Sequence, residues 1–257
     1  MQYLIICTAA FVTSGLTLFS GFGLGMLLMP VFAVFFPVDV AVAMTAVVHL
    51  LNNLLKLTIF GKHCDRSVLV RFAFPAIFAA FGGAFVLTWF SQFEPLIVYH
   101  VGSAEAEVLP IKMLIAVLMV IFSLFEIHPG LQQFEFGKRY LFVGGALSGF
   151  FGGLSGHQGA LRSAFLARAG LTKEAFIGTG VLIACLVDVT RISVYGAHYA
   201  LTGALQNVQL LTAATLAAFF GVFVGGRFVK VVTMKTIQRL VSGMLFLLAL
   251  GLASGFV

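Results

Sequence analysis

Charged residues are scarce in this chain, and their scarcity excludes most classes of soluble protein. Of 257 residues, 9% are charged and 61% are hydrophobic, whereas a typical soluble domain is about one-quarter charged. Intrinsic disorder is excluded because it requires low hydrophobicity and high charge. A membrane β-barrel is excluded because the apolar runs are about 20 residues long, about twice the length of a spanning strand. The composition therefore predicts an all-α polytopic membrane protein that is embedded in the lipid bilayer.

Cysteine is almost absent, which excludes a disulfide-built module. The three cysteines are far apart and odd in number, and neither a C-x-x-C pair nor a Cys/His cluster occurs. We therefore expect no metal site and no cofactor. The first apolar run has no basic segment before it and is too long for a signal peptide, so we expect it to stay in the mature protein. The net charge of +6 is interpreted as a topology signal rather than as a nucleic-acid footprint.

The apolar residues form eight runs, and their order repeats. A long run interrupted by glycine is followed by three plain runs, and the pattern then occurs again. The runs cover residues 3–36, 40–60, 70–90, 110–127, 140–167, 175–196, 206–226 and 234–256. A shift of about 135 residues places Asn53 on Asp188 and Lys56 on Arg191. We therefore expect two repeats, residues 1–130 and 138–257, in a single transport domain.

Lysine and arginine in the loops predict the topology, because basic loops stay cytoplasmic. Eleven basic residues lie in four loops: Lys62, Arg66, Arg71; Lys138, Arg139; Arg168, Lys173; Arg227, Lys230, Lys235, Arg239. The run 140–167 has basic residues beyond both of its ends, which predicts a re-entrant helical hairpin rather than a single crossing. The run 3–36 would be the matching hairpin from the other side, with both chain termini outside. Each repeat then has one hairpin and three crossings, so the second repeat is inverted. Eight plain crossings remain the alternative.

Apart from residues assigned to the loops and the span ends, four charged residues lie well inside the predicted spans, and their charges do not balance. Three are basic, Lys56, Arg162 and Arg191, and one is acidic, Asp188. A charge at mid-membrane costs at least about 2.5 kcal/mol and needs a partner. The positive excess predicts a site for a small anion. Asp188 is three residues before Arg191 on one helix face. We expect it to hold Arg191 in place and to offer a group that can exchange a proton.

The glycine-rich interruption of the run 140–167 is the predicted anion-binding element. Arg162 follows it closely, and glycine lets a ligand approach the backbone. We expect the side chains of Ser155, His157 and Gln158 to add hydrogen-bond donors. The full set of expected substrate-binding residues is Arg162, Ser155, Gly156, His157, Gln158, Gly159, Asn52, Asn53, Lys56, His49, Gly23 and Gly25.

Structural explanations exist for the same residues. Asp188 and Arg191 could form an ion pair with a structural role only. The side chain of Lys56 could extend to the membrane–water interface, and Arg162 could be a further basic residue at the cytoplasmic end of its run. Glycine pairs four apart, such as Gly145/Gly149 and Gly221/Gly225, are typical of helix packing.

Two glycine-rich segments resemble the signature of a known family. The segment Gly21-Phe-Gly-Leu-Gly-Met-Leu-Leu-Met-Pro30 resembles the signature of the sulfite exporter TauE/SafE family of membrane transporters, and Gly152-Gly-Leu-Ser-Gly-His-Gln-Gly-Ala-Leu161 resembles its second copy. In the second copy, Ala164 stands in place of proline and Arg162 in place of an apolar residue. The resemblance implies transport of sulfite, sulfoacetate or a similar sulfonate across the bacterial inner membrane, without fixing the substrate, the direction or the coupling ion.

Two other classes remain open on the sequence alone. Gly153-Leu-Ser155-Gly156 matches the G-x-S-G of rhomboid-like intramembrane proteases, which require a histidine on another helix as the base. A non-transporting channel or scaffold subunit is the other class, although a scaffold does not require a duplicated hairpin with buried charge.

Overall fold

The computed structural model describes residues 1–17, 24–101, 104–128, 136–198, 206–228 and 234–255. Within these ranges the chain forms ten α-helices and one pair of strands. The helices are α1 (Gln2–Leu16), α2 (Leu24–Ala33), α3 (Val38–Phe60), α4 (Arg66–Phe90), α5 (Pro110–Ile127), α6 (Leu141–Ser155), α7 (Gly159–Leu166), α8 (Lys173–His198), α9 (Val208–Phe228) and α10 (Met234–Ala253). Four described helices, α3, α4, α8 and α9, are long and apolar enough to cross a bilayer. The predicted all-α polytopic membrane class is confirmed.

The strands lie between α4 and α5, in the segment between the predicted runs 70–90 and 110–127. They are β1 (Ile97–Val101) and β2 (Ala104–Val108), and they pair antiparallel. The Glu107 amide donates to the Gly255 carbonyl at 3.3 Å, and the Tyr99 hydroxyl donates to the Ser254 carbonyl. The hairpin therefore packs on the end of α10. Strands of five residues carry too little periodicity to be recognised in advance.

Both long apolar runs are divided into two helices. In the run 140–167, α6 ends at Ser155 and α7 begins at Gly159, and Gly156 between them has a φ of +79°. This left-handed conformation favours glycine because a Cβ would meet the neighbouring carbonyl. In the run 3–36, α1 and α2 flank residues 18–23. The predicted interruption is Gly21–Gly25; its residues 21–23, including the site residue Gly23, lie outside the described residues, and Gly25 lies in α2.

Glycine determines how closely the helices approach. A Cβ at Gly149 would lie 2.1 Å from the carbonyl oxygen of Ala76, and one at Gly153 would lie 2.1 Å from that of Ala80. The backbones of α6 and α4 are therefore in direct contact, and the contacts advance along both helices in the same direction. The helices α1 and α9 pack in parallel in the same way, with Gly221 against Phe11. The small-residue pairs predicted for helix packing do pack helices together.

In each broken run, the second helix ends at the same end of the molecule at which the first helix begins. At the start of α8, a Cβ at Gly178 would lie 2.4 Å from the carbonyl of Phe60 at the end of α3. A Cβ at Gly170, after α7, would lie 3.4 Å from Nζ of Lys138, before α6. We call this end of the molecule, which carries exposed Lys62, Arg66, Lys138, Arg139, Arg168 and Lys173, the basic end. Because α1 runs parallel to α9, which begins at the other end, the α1–α2 pair starts from the end opposite the basic end. Residues 229–233 of the fourth basic loop are outside the described residues.

Apolar side chains face outward as well as inward. All ten residues of α2 are buried, as expected for a short helix that is apolar on every side. On α4, a stripe at helical spacing is instead exposed, formed by Phe74, Phe78, Phe81 and Phe85. An exposed apolar stripe of this length indicates a surface covered by lipid.

Candidate functional site: a buried polar cluster

Asp188 on α8 is the centre of a buried hydrogen-bonded cluster. Its Oδ2 lies 2.6 Å from Nδ1 of His49 on α3, a residue 139 positions away in the chain. Its Oδ1 accepts from Nε and Nη2 of Arg191 at 3.0 and 2.7 Å, and from Nε2 of Gln158 at 3.4 Å. Side-chain exposure is 0% for Asp188 and Arg191 and 2% for His49. Three elements of the chain thus meet on one carboxylate, and Arg191 and Asp188 neutralise each other.

His49 is oriented by contacts with Asp188 and Asn53. The carboxylate of Asp188 only accepts, so Nδ1 of His49 is the donor in that contact. The amide nitrogen of Asn53, one turn further along α3, lies 3.2 Å from both ring nitrogens. The contact with Asp188 thus fixes a proton on Nδ1. The ring is therefore a positioned acid–base group next to a carboxylate.

The break between α6 and α7 contacts this cluster directly. A Cβ at Gly156 would lie 2.8 Å from Nη1 of Arg191, and the same nitrogen donates to the carbonyl of Gly152 at 3.4 Å. A Cβ at Gly25, in the first turn of α2, would lie 3.4 Å from the carbonyl of Gly156 and 3.8 Å from the ring of His49. The start of α2 and the break after α6 therefore meet beside Arg191 and His49.

Lys56 and Arg162 lie on the basic-end side of this cluster. Lys56 is seven residues after His49 in α3, or about 10 Å further along the helix axis. Arg162, on α7, places Nε 3.5 Å from the position of a Cβ at Gly180, which is eight residues before Asp188 in α8. The side chains of Lys56 and Arg162 are 5% and 7% exposed, and their charges repel each other. We call these two residues the cation pair.

The remaining predicted site residues have structural partners. Asn52 accepts from the hydroxyl of Ser14 on α1 at 3.0 Å through its Oδ1. Gly159 is the first residue of α7 and is buried. The expected set is therefore divided among four places: the Asp188 cluster with Asn53 and Gln158, the cation pair, the contact of Asn52 with α1, and a contact between Ser155 and His157.

Ser155 and His157 form a local contact within the break. The hydroxyl of Ser155 donates to the carbonyl of Phe151 at 3.2 Å. Nδ1 of His157 lies 3.1 Å from the Ser155 carbonyl and 2.9 Å from its hydroxyl. A carbonyl only accepts, so this nitrogen carries the proton and cannot also serve as the base for Ser155. The arrangement disfavours the protease interpretation.

The structure also identifies residues that sequence patterns did not single out. The ring of Phe122 on α5 stacks on His157, with centroids 5.2 Å apart and planes 11° from parallel. The hydroxyl of Tyr195, one turn after Arg191, donates to the carbonyl of Gly153. Ser148 donates to the carbonyl of Gln158 at 3.1 Å. All three hold the break in place; the only signal available in the sequence was the position of Tyr195 one turn beyond Arg191.

The described residues contain no group of three or more His, Cys, Asp or Glu side chains that could hold a metal ion. The ionisable groups of the Asp188 cluster contact one another, and the guanidinium of Arg162 and the ammonium of Lys56 lie on its basic-end side. Such an arrangement can attract a negatively charged group to the cation pair.

Comparison with known proteins agrees with these features. No curated protein and no solved structure matches the chain. The family model of the sulfite exporter TauE/SafE matches residues 6–252, which is nearly the whole chain and includes both broken runs. The protein therefore belongs to the TauE/SafE sulfite exporter family, whose members are membrane transporters of sulfite or related anions.

Proposed function

We propose that this protein is a secondary transporter that carries a small sulfur-containing anion, such as sulfite, sulfoacetate or a similar sulfonate, across the bacterial inner membrane. The supporting observation is the imbalance of buried charge. Among the described residues, the buried side chains with permanent charge are Lys56, Arg162, Arg191 and Asp188. These side chains carry three positive charges and one negative charge, which is a net charge of +2. Burying like charges together is costly unless a counter-charge joins them.

The arrangement of helices supports alternating access between two inverted repeats. The α1–α2 and α6–α7 pairs start from opposite ends of the molecule, and α3 and α8, about 135 residues apart in the chain, cross at the contact between His49 and Asp188. Broken helices that meet near the midplane are typical of secondary transporters built from inverted repeats. Rocking of one repeat against the other would expose the cation pair to each side in turn, with both chain termini outside.

Each polar residue has a distinct role in this proposal. The cation pair of Lys56 and Arg162 binds the anionic group. Asp188 holds Arg191 against the break, and Asn53 orients His49. The His49–Asp188 contact supplies two titrating groups, so a proton is the coupling ion that this site could exchange.

The test is transport by an Arg162→Gln variant in liposomes. Glutamine keeps much of the length and the hydrogen-bonding capacity of the side chain but removes the charge, and loss of a charge-assisted contact weakens binding by about tenfold or more. We expect sulfite flux to fall by at least that factor. The matched control is Arg139→Gln, at an exposed arginine of the basic end, which should keep full flux.

The outcomes separate the competing functions. An Arg162→Gln protein that transports as well as the parent would show that the site is assigned wrongly. A parent protein that binds anions but shows no flux of sulfite or any sulfonate would instead support the channel-subunit or scaffold alternative. Elution as a single folded species from a sizing column establishes that each variant is intact.

A further inference from the structure

Among the described side chains with 0% exposure, three carry a polar atom that has no hydrogen-bond partner, and two of these atoms are acceptors. They are Nδ2 of Asn52, Oε1 of Gln158 and Nε2 of His157, each on a side chain with 0% exposure. Buried polar atoms are nearly always paired with protein, water or a ligand. An unpaired acceptor next to a proposed anion site requires explanation, because an anion alone offers only further acceptors.

The orientation of the Gln158 amide follows from its neighbour. The carboxylate of Asp188 only accepts, so the amide atom 3.4 Å from it must be the nitrogen. The oxygen of the same amide then points elsewhere and can only accept. The same reasoning applies to His157, where Nδ1 donates to the Ser155 carbonyl and leaves Nε2 as the acceptor of a neutral ring. The sequence-based expectation that these two side chains offer donors to the substrate is therefore revised.

Gln158 stands one helical turn from the cation pair. It precedes Arg162 by four residues, so the two side chains leave the same face of the helix about 6 Å apart along its axis. Both side chains contact α8, Gln158 at Asp188 and Arg162 at Gly180, which is about two turns nearer the basic end. A ligand that spans this separation would place its anionic group at Arg162 and a hydrogen-bond donor, two or three bonds away, at Oε1 of Gln158.

We propose that the substrate is a small sulfonate that carries a neutral hydroxyl at its other end, which donates to Oε1 of Gln158. This inference rests on the proposed anion site. A hydroxyl is favoured over an ammonium group because Arg191 and the cation pair make the surroundings positive. A sulfonate without a donor would leave the acceptor unpaired and would therefore bind more weakly.

The experiment compares three probes that differ only at the second carbon: 2-hydroxyethanesulfonate, ethanesulfonate and 2-aminoethanesulfonate. Binding to the purified full chain is measured by calorimetry. One hydrogen bond to a buried acceptor corresponds to about tenfold in affinity, so the hydroxyl compound should bind about tenfold tighter than ethanesulfonate. In Gln158→Met this ratio should fall to about one. The control is Ser148→Ala, which removes only the hydrogen bond to the main chain of Gln158. In this variant the affinity ratio of the hydroxyl compound to ethanesulfonate should stay at about tenfold.

Each outcome of this experiment supports or overturns the hydroxyl inference or the proposed function. Equal affinities for the hydroxyl compound and ethanesulfonate, or tightest binding of the amino compound, would overturn the hydroxyl inference and leave the anion site standing. An undiminished ratio in Gln158→Met would show that another group, or an ordered water, makes the contact, and would also overturn it. Failure of all three probes and of sulfite to bind would overturn the proposed function itself. Because the readout is a ratio within one protein, a general loss of affinity in a variant does not obscure it.

Discussion

Replacing Asp188 by asparagine should destabilise the protein strongly, because it removes the only carboxylate described next to Arg191 while keeping the shape of the side chain. Arg191 is fully buried and donates two hydrogen bonds to this carboxylate. Asparagine would leave the guanidinium charge buried without a counter-charge, and its amide nitrogen would compete with the donor on His49. Removing one member of a buried ion pair costs about 3–5 kcal/mol. We expect the free energy of unfolding to fall by that amount.

A double-mutant cycle separates the ion pair from mere loss of contacts. Asp188→Leu with Arg191→Met removes both charges and fills similar volume, which is often nearly neutral for a buried pair. The double variant should therefore be more stable than either single variant, with a coupling energy of about 2 kcal/mol or more. Unfolding is followed by circular dichroism during denaturant titration in mixed micelles. Additive effects, or an Asp188→Asn protein as stable as the parent, would refute the claim that this pair is buried and mutually dependent.

Two glycine substitutions test packing and the break. Gly149→Ala places a methyl group 2.1 Å from a carbonyl oxygen of α4 and should clearly lower the midpoint of thermal unfolding, since overpacking costs about 1–3 kcal/mol. Gly82→Ala is the control, because the space around its Cβ is open. Equal midpoints for the two variants would contradict the close packing of α6 on α4. Gly156→Ala adds strain at a φ of +79° and displaces Arg191, so sulfite flux in liposomes should fall. Gly170→Ala adds similar strain at a φ of +68°, but next to Lys138, and should keep the flux of the parent protein. Equal flux in the two variants would contradict a role in transport for the break between α6 and α7.

Sequence patterns predicted the helices well because membrane spans depend mainly on composition. A run of about 20 apolar residues needs little tertiary context to form a spanning helix. The break after Ser155 was also visible, since glycine clusters there with polar residues. The strands β1 and β2 were missed because they depend on docking against the end of α10. Their pairing is a tertiary effect on a segment with weak local preference.

The sequence predicted the burial of the charged residues of the candidate site but not their hydrogen bonds. Burial of Lys56, Arg162, Arg191 and Asp188 followed from their positions in apolar runs. The partner of Asp188 across the interface, His49, could not be identified, because the register between two helices is set by side-chain packing along their whole length. The sequence also could not show which donors are already used. The residue type gives Gln158 one amide donor group and one acceptor, and only the structure shows that its amide nitrogen is hydrogen-bonded to Asp188.

One difference between the two long central helices explains why the site is positive. Under the shift of about 135 residues, Lys56 corresponds to Arg191, while Asn53 corresponds to Asp188. Arg191 therefore has a carboxylate three residues before it, and Lys56 has a neutral amide at the same place, which bonds to His49 instead. Had both positions been aspartate, Lys56 and Arg191 would each have a carboxylate three residues before them, and the net charge of the buried residues would be +1 instead of +2. Asn53→Asp is therefore the single change in this helix pair that should weaken the proposed anion binding most, because it halves the net positive charge without removing a cation.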